Sequence, residues 1–143
     1  MKEPKKVPPT DALRSRIMRA VGRRDTGPER ALRSALHALG LRFRLHRRDL
    51  PGSPDVVFPR ERLAIFVHGC FWHRHPNCRR TTMPKTNAAY WHQKFAANVE
   101  RDGRKIAELR RMGWKTLVVW ECEIEADPDS TANRVEAALS DGK

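Results

Sequence analysis

Apolar residues recur along this chain with two different periods, and the switches between them mark out its elements. Leu13, Ile17 and Val21 fall every four residues with Arg14, Arg16 and Arg19 between them, which predicts a short basic amphipathic helix closed by Gly22. Thr26-Gly-Pro-Glu29 then has the spacing of a capping box, with proline just inside the start of a second helix. Leu32, Leu36 and Leu39 stripe that helix, and Gly40 stops it. Positions 41–46 alternate apolar with polar, and the Pro51-Gly-Ser-Pro54 turn leads into Asp55 and the apolar residues 56–58, so two strands are expected. Residues 63–67 form an apolar run short enough for a buried strand, and its end delivers His68. Trp91, Phe95, Val99, Ile106 and Leu109 predict one side of a long helix over 87–112, closed by Gly113. A further buried strand is expected over 115–120, leading to Cys122, and a terminal helix over 130–139.

Helices, strands, a long helix, a strand and a helix in that order predict an α/β fold in which helices flank a mixed β-sheet. At 143 residues, one domain is expected, spanning 11–143. Residues 1–10, rich in Lys and Pro, have little to bury and are expected to be a flexible basic arm.

Charge narrows the partner. The formal net charge is +12, and between Arg14 and Arg48 the excess is arginine, whose planar fork suits phosphate. Nucleic acid is the first expectation, ahead of acidic lipid. No apolar run approaches the ~18 residues of a membrane span, and the N-terminus has no signal-peptide core, so a cytoplasmic protein is expected. Three cysteines, an odd number, do not suggest a disulfide framework, and their proximity to histidines points to metal.

Cys70, His75 and Cys78 fall within nine residues, and Cys122 follows a strand that could lie alongside, so a Cys3His zinc site is expected. With all four positions taken by protein, such a zinc is structural, and catalysis needs other groups. Asp55, at the start of a strand and close to the strand that ends at His68, is a natural Mg2+ ligand; as a simple turn cap it would have no such role. One of His68 and His73 is expected as a general base. Glu29 is explained by the capping box alone. Phe71 and Trp72, amid Arg74, Arg79 and Arg80, suggest that at least one aromatic ring meets DNA bases.

A set of strings sharpens this picture: Met18-Arg-Ala-Val, Arg24-Asp-Thr, Pro51-Gly-Ser-Pro-Asp55, Phe66-Val-His-Gly-Cys-Phe-Trp-His73, Asn98-Val-Glu-Arg-Asp102, Gly113-Trp and Val119-Trp-Glu-Cys122. In unbroken order they resemble the very-short-patch-repair (Vsr) DNA mismatch endonucleases. The resemblance implies a restriction-endonuclease-like core with a structural zinc, and a Mg2+-dependent enzyme that nicks double-stranded DNA 5′ to the thymine of a T·G mismatch left by deaminated 5-methylcytosine. By position it implies that Asp55 and the Val67 backbone carbonyl hold Mg2+, that His73 activates water, and that His68 and Glu29 support the site. Cys70, His75, Cys78 and Cys122 would bind zinc. Phe71, Trp72 and Trp91 would form an aromatic wedge, Met18 would enter from the opposite groove, and Lys94 and Asn98 would contact the mispaired bases. A monomer acting on bacterial nucleoid DNA, with other repair proteins as further partners, completes the expectation. Two departures fall near the site: Val67 stands where the family pattern has threonine, and His75 and Cys78 are one residue further apart. The competing reading, a zinc-braced DNA-binding module without catalysis, leaves Asp55, His68 and His73 without a reason to be at one sheet end.

Overall fold

The computed structural model describes residues 26–141, so the basic arm, the first amphipathic helix and Met18 lie outside the described residues. Helix α1 (Gly27–Ala38) begins where its sequence says it should, with the Thr26 hydroxyl accepting from the Glu29 amide at 3.4 Å and proline in the first turn. Leu32 and Leu36 are fully buried, whereas Leu39 is the C-cap and is 37% exposed, so the apolar stripe ends a turn early.

Four strands follow, β1 (Arg44–Leu45), β2 (Val56–Phe58), β3 (Leu63–His68) and β4 (Lys115–Trp120), arranged in the order β1-β2-β3-β4. The alternating stretch 41–46 yields only two paired residues, because His46 turns into the left-handed region at φ 50°. β1 and β2 pair antiparallel, as do β2 and β3, whereas β3 and β4 are parallel with His68 opposite Trp120. A parallel neighbour needs a long crossover. Here it contains the short helix α2 (Cys70–His73) and the 24-residue helix α3 (Ala88–Arg111).

Strand alternation sorts the core into two layers. Val56, Phe58, Leu63, Ile65 and Val119 face α1 and the helices α4 (Glu121–Ala126) and α5 (Pro128–Asp141), packing on Leu32, Leu36, Ile124 and Val135. Val57, Ala64 and Phe66 face the other way, onto Leu109 and Ile106 of α3 and onto Trp114. The mixed sheet is therefore covered by helices on both faces, as expected from the element order.

Three expectations change in detail. Val99 is 47% exposed, and Asn98 at 7% takes its place on the inner face of α3; Trp91, Phe95, Asn98, Asp102, Ile106 and Leu109 follow the 3.6-residue repeat that Val99 breaks. β4 is half-buried along most of its length, with only Val119 fully enclosed. The terminal helix is longer than 130–139, running from Pro128, and Asp127 caps it by accepting from the Ser130 amide at 3.1 Å.

Candidate active site and metal cluster

The parallel pairing of β3 with β4 sets up one half of the site. With His68 in register with Trp120, the two residues beyond each strand end bring Cys70 and Cys122 together. The ligand atoms of Cys70, His75, Cys78 and Cys122 all lie within 4.8 Å of one another, with His75 Nδ1 3.6 Å from Cys70 Sγ and 3.4 Å from Cys122 Sγ. Left-handed residues at Arg74 and Asn77 fold the loop back on itself, and the His75 ring stacks on Trp120 at 4.2 Å. Thr81 donates its hydroxyl to the His75 carbonyl at 2.7 Å, and the Cys70 amide donates to Glu121 Oε2 at 3.2 Å. Burial pushes the Cys70 thiol up to about 12, while a backbone hydrogen bond from Arg80 holds Cys78 below its usual range. Three sulfurs and one imidazole, closed around one point, fit a tetrahedral zinc with no position left for water.

The other half is an open cleft of about 1050 Å³ beside the same strand end. Asp55 sits at its floor, held as the first residue of a strand is held. Its amide donates to the Ile65 carbonyl at 3.0 Å, its carbonyl accepts from the His46 amide at 3.1 Å, and its Oδ2 accepts from the Val67 amide at 2.7 Å. The preceding turn places Gly52 at φ 77°, where an added Cβ would lie 3.0 Å from the Phe66 ring. Asp55 is therefore tied into the sheet and aimed at β3, which a mere turn cap would not require. Burial, and the nearby charge of Glu29, raise its pKa to about 7 against the opposing pull of the Val67 amide and Arg33. Glu29 is 8% exposed; its amide satisfies the cap while its carboxylate reaches into the cleft, 3.9 Å from His46 Nε2. Glu29 thus has a place beside Asp55 as well as in the helix start.

His68 and His73 stack at 3.9 Å with an interplanar angle of 9°. Their surroundings differ. His68 is 7% exposed, and burial followed by the neighbouring His73 pushes its pKa down to about 3, so it stays neutral through the working range. His73 faces the cleft and places Nδ1 2.5 Å from Asp102 Oδ2. A carboxylate on Nδ1 fixes the tautomer that carries its proton there, leaving Nε2 to accept one. Of the two imidazoles, His73 is the one that faces the cleft with a carboxylate on its inner nitrogen, an arrangement that can support proton transfer.

An aromatic cluster stands behind Trp72, which lines the cleft. Phe71, Trp72, Trp91 and Phe95 cluster with centroid separations from 5.0 to 6.3 Å, and the Arg74 guanidinium sits 3.9 Å over Phe95. Phe71 and Trp72 are both half-buried, so both neighbouring rings share the inward and outward surface. Trp91, expected with them in the wedge, is 3% exposed and packs beneath them, so only Phe71 and Trp72 reach the surface. Lys94 and Asn98 line the cleft with Trp72; Asn98 donates to the Trp72 carbonyl at 3.4 Å and accepts from Arg101 at 2.7 Å.

Asp102, His46 and Glu121 were given no role by the sequence. Asp102 was findable, since it continues the inner face of α3 one turn beyond Asn98. His46 was not, because nothing in the 41–46 alternation announces the left-handed turn that brings it to Glu29. Among the described residues, no helix is long and apolar enough to cross a membrane.

Comparison with known proteins agrees with these features. The family model described as DNA mismatch endonuclease Vsr matches residues 9–80. The type II nicking enzyme V.XorIIP of Xanthomonas oryzae pv. oryzae is 55% identical over 108 residues, covering 76% of this chain and 79% of that protein. The DNA mismatch endonuclease Vsr of Escherichia coli is 47% identical over 113 residues, covering 79% and 72% respectively. The type II nicking enzyme V.NaeI of Lentzea aerocolonigenes is 46% identical over 120 residues, covering 80% and 71%. The chain belongs to the Vsr family of DNA mismatch endonucleases.

Proposed function

We propose that this protein nicks double-stranded DNA on the 5′ side of the thymine in a T·G mismatch, by Mg2+-dependent hydrolysis on a restriction-endonuclease-like core. The observation that carries the reading is the meeting of Asp55 with the His73–Asp102 pair in a single cleft. The names of its relatives, mismatch endonuclease and nicking enzymes, support the same reaction class.

Asp55 and the Val67 carbonyl would hold Mg2+, and two neighbouring carboxylates, half-buried Asp55 and buried Glu29, form an oxygen-rich site that suits a hard divalent cation. A cation bound there supplies charge neutralisation to the scissile phosphate and the departing oxygen. Asp102 keeps the His73 proton on Nδ1, so Nε2 takes the proton of the attacking water. Neutral His68 stacks against His73 and fixes its plane. Cys70, His75, Cys78 and Cys122 would bind a structural zinc that holds α2, and with it His73, against the sheet.

Phe71 and Trp72 would wedge into the stack beside the mismatch, with Trp91 as the support beneath them, and Lys94 and Asn98 would read the displaced base edges. Met18 would enter from the opposite groove. The working unit is a single-domain monomer acting on bacterial chromosomal DNA in the cytoplasm, alongside other repair proteins.

The test uses end-labelled duplexes with one T·G pair, protein and Mg2+, beside matched T·A and C·G duplexes. The expected product is a single nick 5′ to the mispaired thymine. Equal cutting of matched duplexes, or none of any, would remove this reading.

A further inference from the structure

Besides the thiol cluster and the His68–His73–Asp102 group there is a third group of side chains able to ligate a metal: Glu29 and Asp55, which line the cleft, and His46 behind them, whose ligand atoms all lie within 4.8 Å of one another. Building on the assignment of a divalent cation to Asp55 and the Val67 carbonyl, we propose that His46 is a direct nitrogen ligand of that cation, with Glu29 joining Asp55 as its carboxylate ligands. The site is then a two-carboxylate, one-imidazole set that accepts Mn2+ more tightly than Mg2+.

Geometry brings His46 there. It follows directly on β1, adopts the left-handed region at φ 50°, and is pinned by its amide to the Asp55 carbonyl at 3.1 Å. That uncommon backbone for a residue with a side chain turns the chain back and places the imidazole over the catalytic carboxylates. Its Nε2 is shielded from solvent and lies 3.9 Å from Glu29 Oε1, and both side chains are mostly enclosed, at 15% and 10% exposure. Ligands at ~2.1 Å from a shared octahedral ion stand roughly 3 to 4 Å apart, so the observed spacing needs only a small inward adjustment.

The donor set decides the metal. Mg2+ takes oxygen and holds its waters, whereas imidazole suits later divalent ions, so a neutral nitrogen beside two carboxylates shifts preference toward Mn2+. An ion–imidazole bond would also tie α1 to the residues that follow β1 and precede β2 through a single ion.

The experiment is pulsed electron paramagnetic resonance of Mn2+ added to the zinc-loaded protein, since zinc has a closed d shell and contributes no signal. The expected result is a bound Mn2+ with coupling to a 14N nucleus, replaced by 15N coupling in protein made with 15N-histidine. His46→Gln should abolish the nitrogen coupling and weaken Mn2+ binding about tenfold or more, with Mg2+ affinity changed much less. His73→Gln and His68→Gln should leave the coupling in place. Mn2+ bound through Asp55 but without nitrogen coupling, or with coupling that survives His46→Gln or disappears in His73→Gln or His68→Gln, overturns the role of His46 and leaves the Asp55 site standing. Mn2+ binding that is unchanged in Asp55→Asn overturns both. If His46→Gln fails to fold, as judged by circular dichroism, the His68 and His73 variants still decide the matter: loss of coupling in either one refutes the assignment, and survival in both leaves His46 as the imidazole beside Asp55.

Discussion

The thiol cluster and the carboxylate cleft flank the same end of β3, yet they are built in opposite ways. The cluster takes three of its four ligands from the nine residues 70–78 and only Cys122 from elsewhere, and it closes completely. The cleft draws Glu29 from α1, Asp55 from the head of β2, His68 from β3, His73 from α2 and Asp102 from α3, and it stays open. The difference teaches that the two depend on each other unequally. α2 is a four-residue helix with only Cys70 fully buried, too short to hold itself in place by packing. The ring of His73 is thus positioned by the cluster on one side and by Asp102 on the other.

That asymmetry predicts the largest effect for Cys122→Ala. A closed zinc site contributes folding energy directly, and losing it should lower the melting temperature by about 10 °C or more and abolish nicking together with it. Native mass spectrometry should find one zinc per wild-type chain and none in the variant. A folded, fully active wild-type protein without zinc would show that the cleft does not lean on the cluster.

Asp55→Asn attacks the cleft without touching the cluster. Nicking should fall by about 10³-fold or more while duplex affinity stays within about threefold. Stability should move the other way. In the fold the Asp55 pKa stands at about 7, above its ordinary 3.8, so the folded state holds the proton more firmly than the unfolded chain. The resulting stabilisation is complete below the unfolded pKa and is lost as pH rises through about 7. In Mg2+-free buffer the asparagine variant should therefore become more stable than wild type as pH rises from 4 to 8, by about 2 to 4 kcal/mol at the upper end. Denaturant melts across that range check it, and parallel wild-type and variant curves would mean that Asp55 is not held at a strained charge.

The same contrast explains what could be seen in the sequence. Cys70, His75 and Cys78 announced themselves by spacing, and Cys122 by lying just past a strand that the pattern marked as buried. Helix α1 with its Thr26 cap, and the apolar strands β2 and β3, were equally legible, because each is fixed by residues adjacent in the chain. The cleft was legible at Asp55, His68 and His73, which the pattern places where neighbouring strands begin and end, although Asp55 could equally have been read as a turn cap. Asp102 could be placed on the inner face of α3 by the helical repeat, but its partner His73, like the meeting of His46 with Glu29, depends on how separate elements cross, and no local pattern encodes that. The assignment of Val99 to the inner face of α3 failed for a related reason: an apolar residue one step off the repeat outweighed a polar one, Asn98, that sits on it and is satisfied there by Trp72 and Arg101.

Asp102→Asn sharpens the division of labour between the imidazoles. An amide can still bond to His73 Nδ1 but no longer fixes the tautomer or balances a positive ring, so nicking should fall about 10² to 10³-fold with unchanged zinc content and mismatch affinity. Single-turnover rates with saturating protein isolate this step from binding. A comparable loss in zinc content would move Asp102 to the structural side of the comparison.

The smallest effect belongs to the aromatic rim, where the two halves meet. Trp72 follows Phe71 on α2, lines the cleft, and carries on its carbonyl the hydrogen bond from Asn98, so its ring is half-buried against Trp91 and Phe95 but still reaches solvent. A stacked base is worth about 1 to 3 kcal/mol. Trp72→Ala should therefore weaken binding of a T·G duplex by roughly 5- to 150-fold, while matched DNA, held through phosphates, loses much less. Trp91→Ala, which removes a ring that is 3% exposed, should instead lower the melting temperature and both affinities together. Fluorescence titration with mismatched and matched duplexes separates the two outcomes. If Trp72→Ala weakens both duplexes equally and destabilises the fold as Trp91→Ala does, the pair form a single core and neither ring is a wedge.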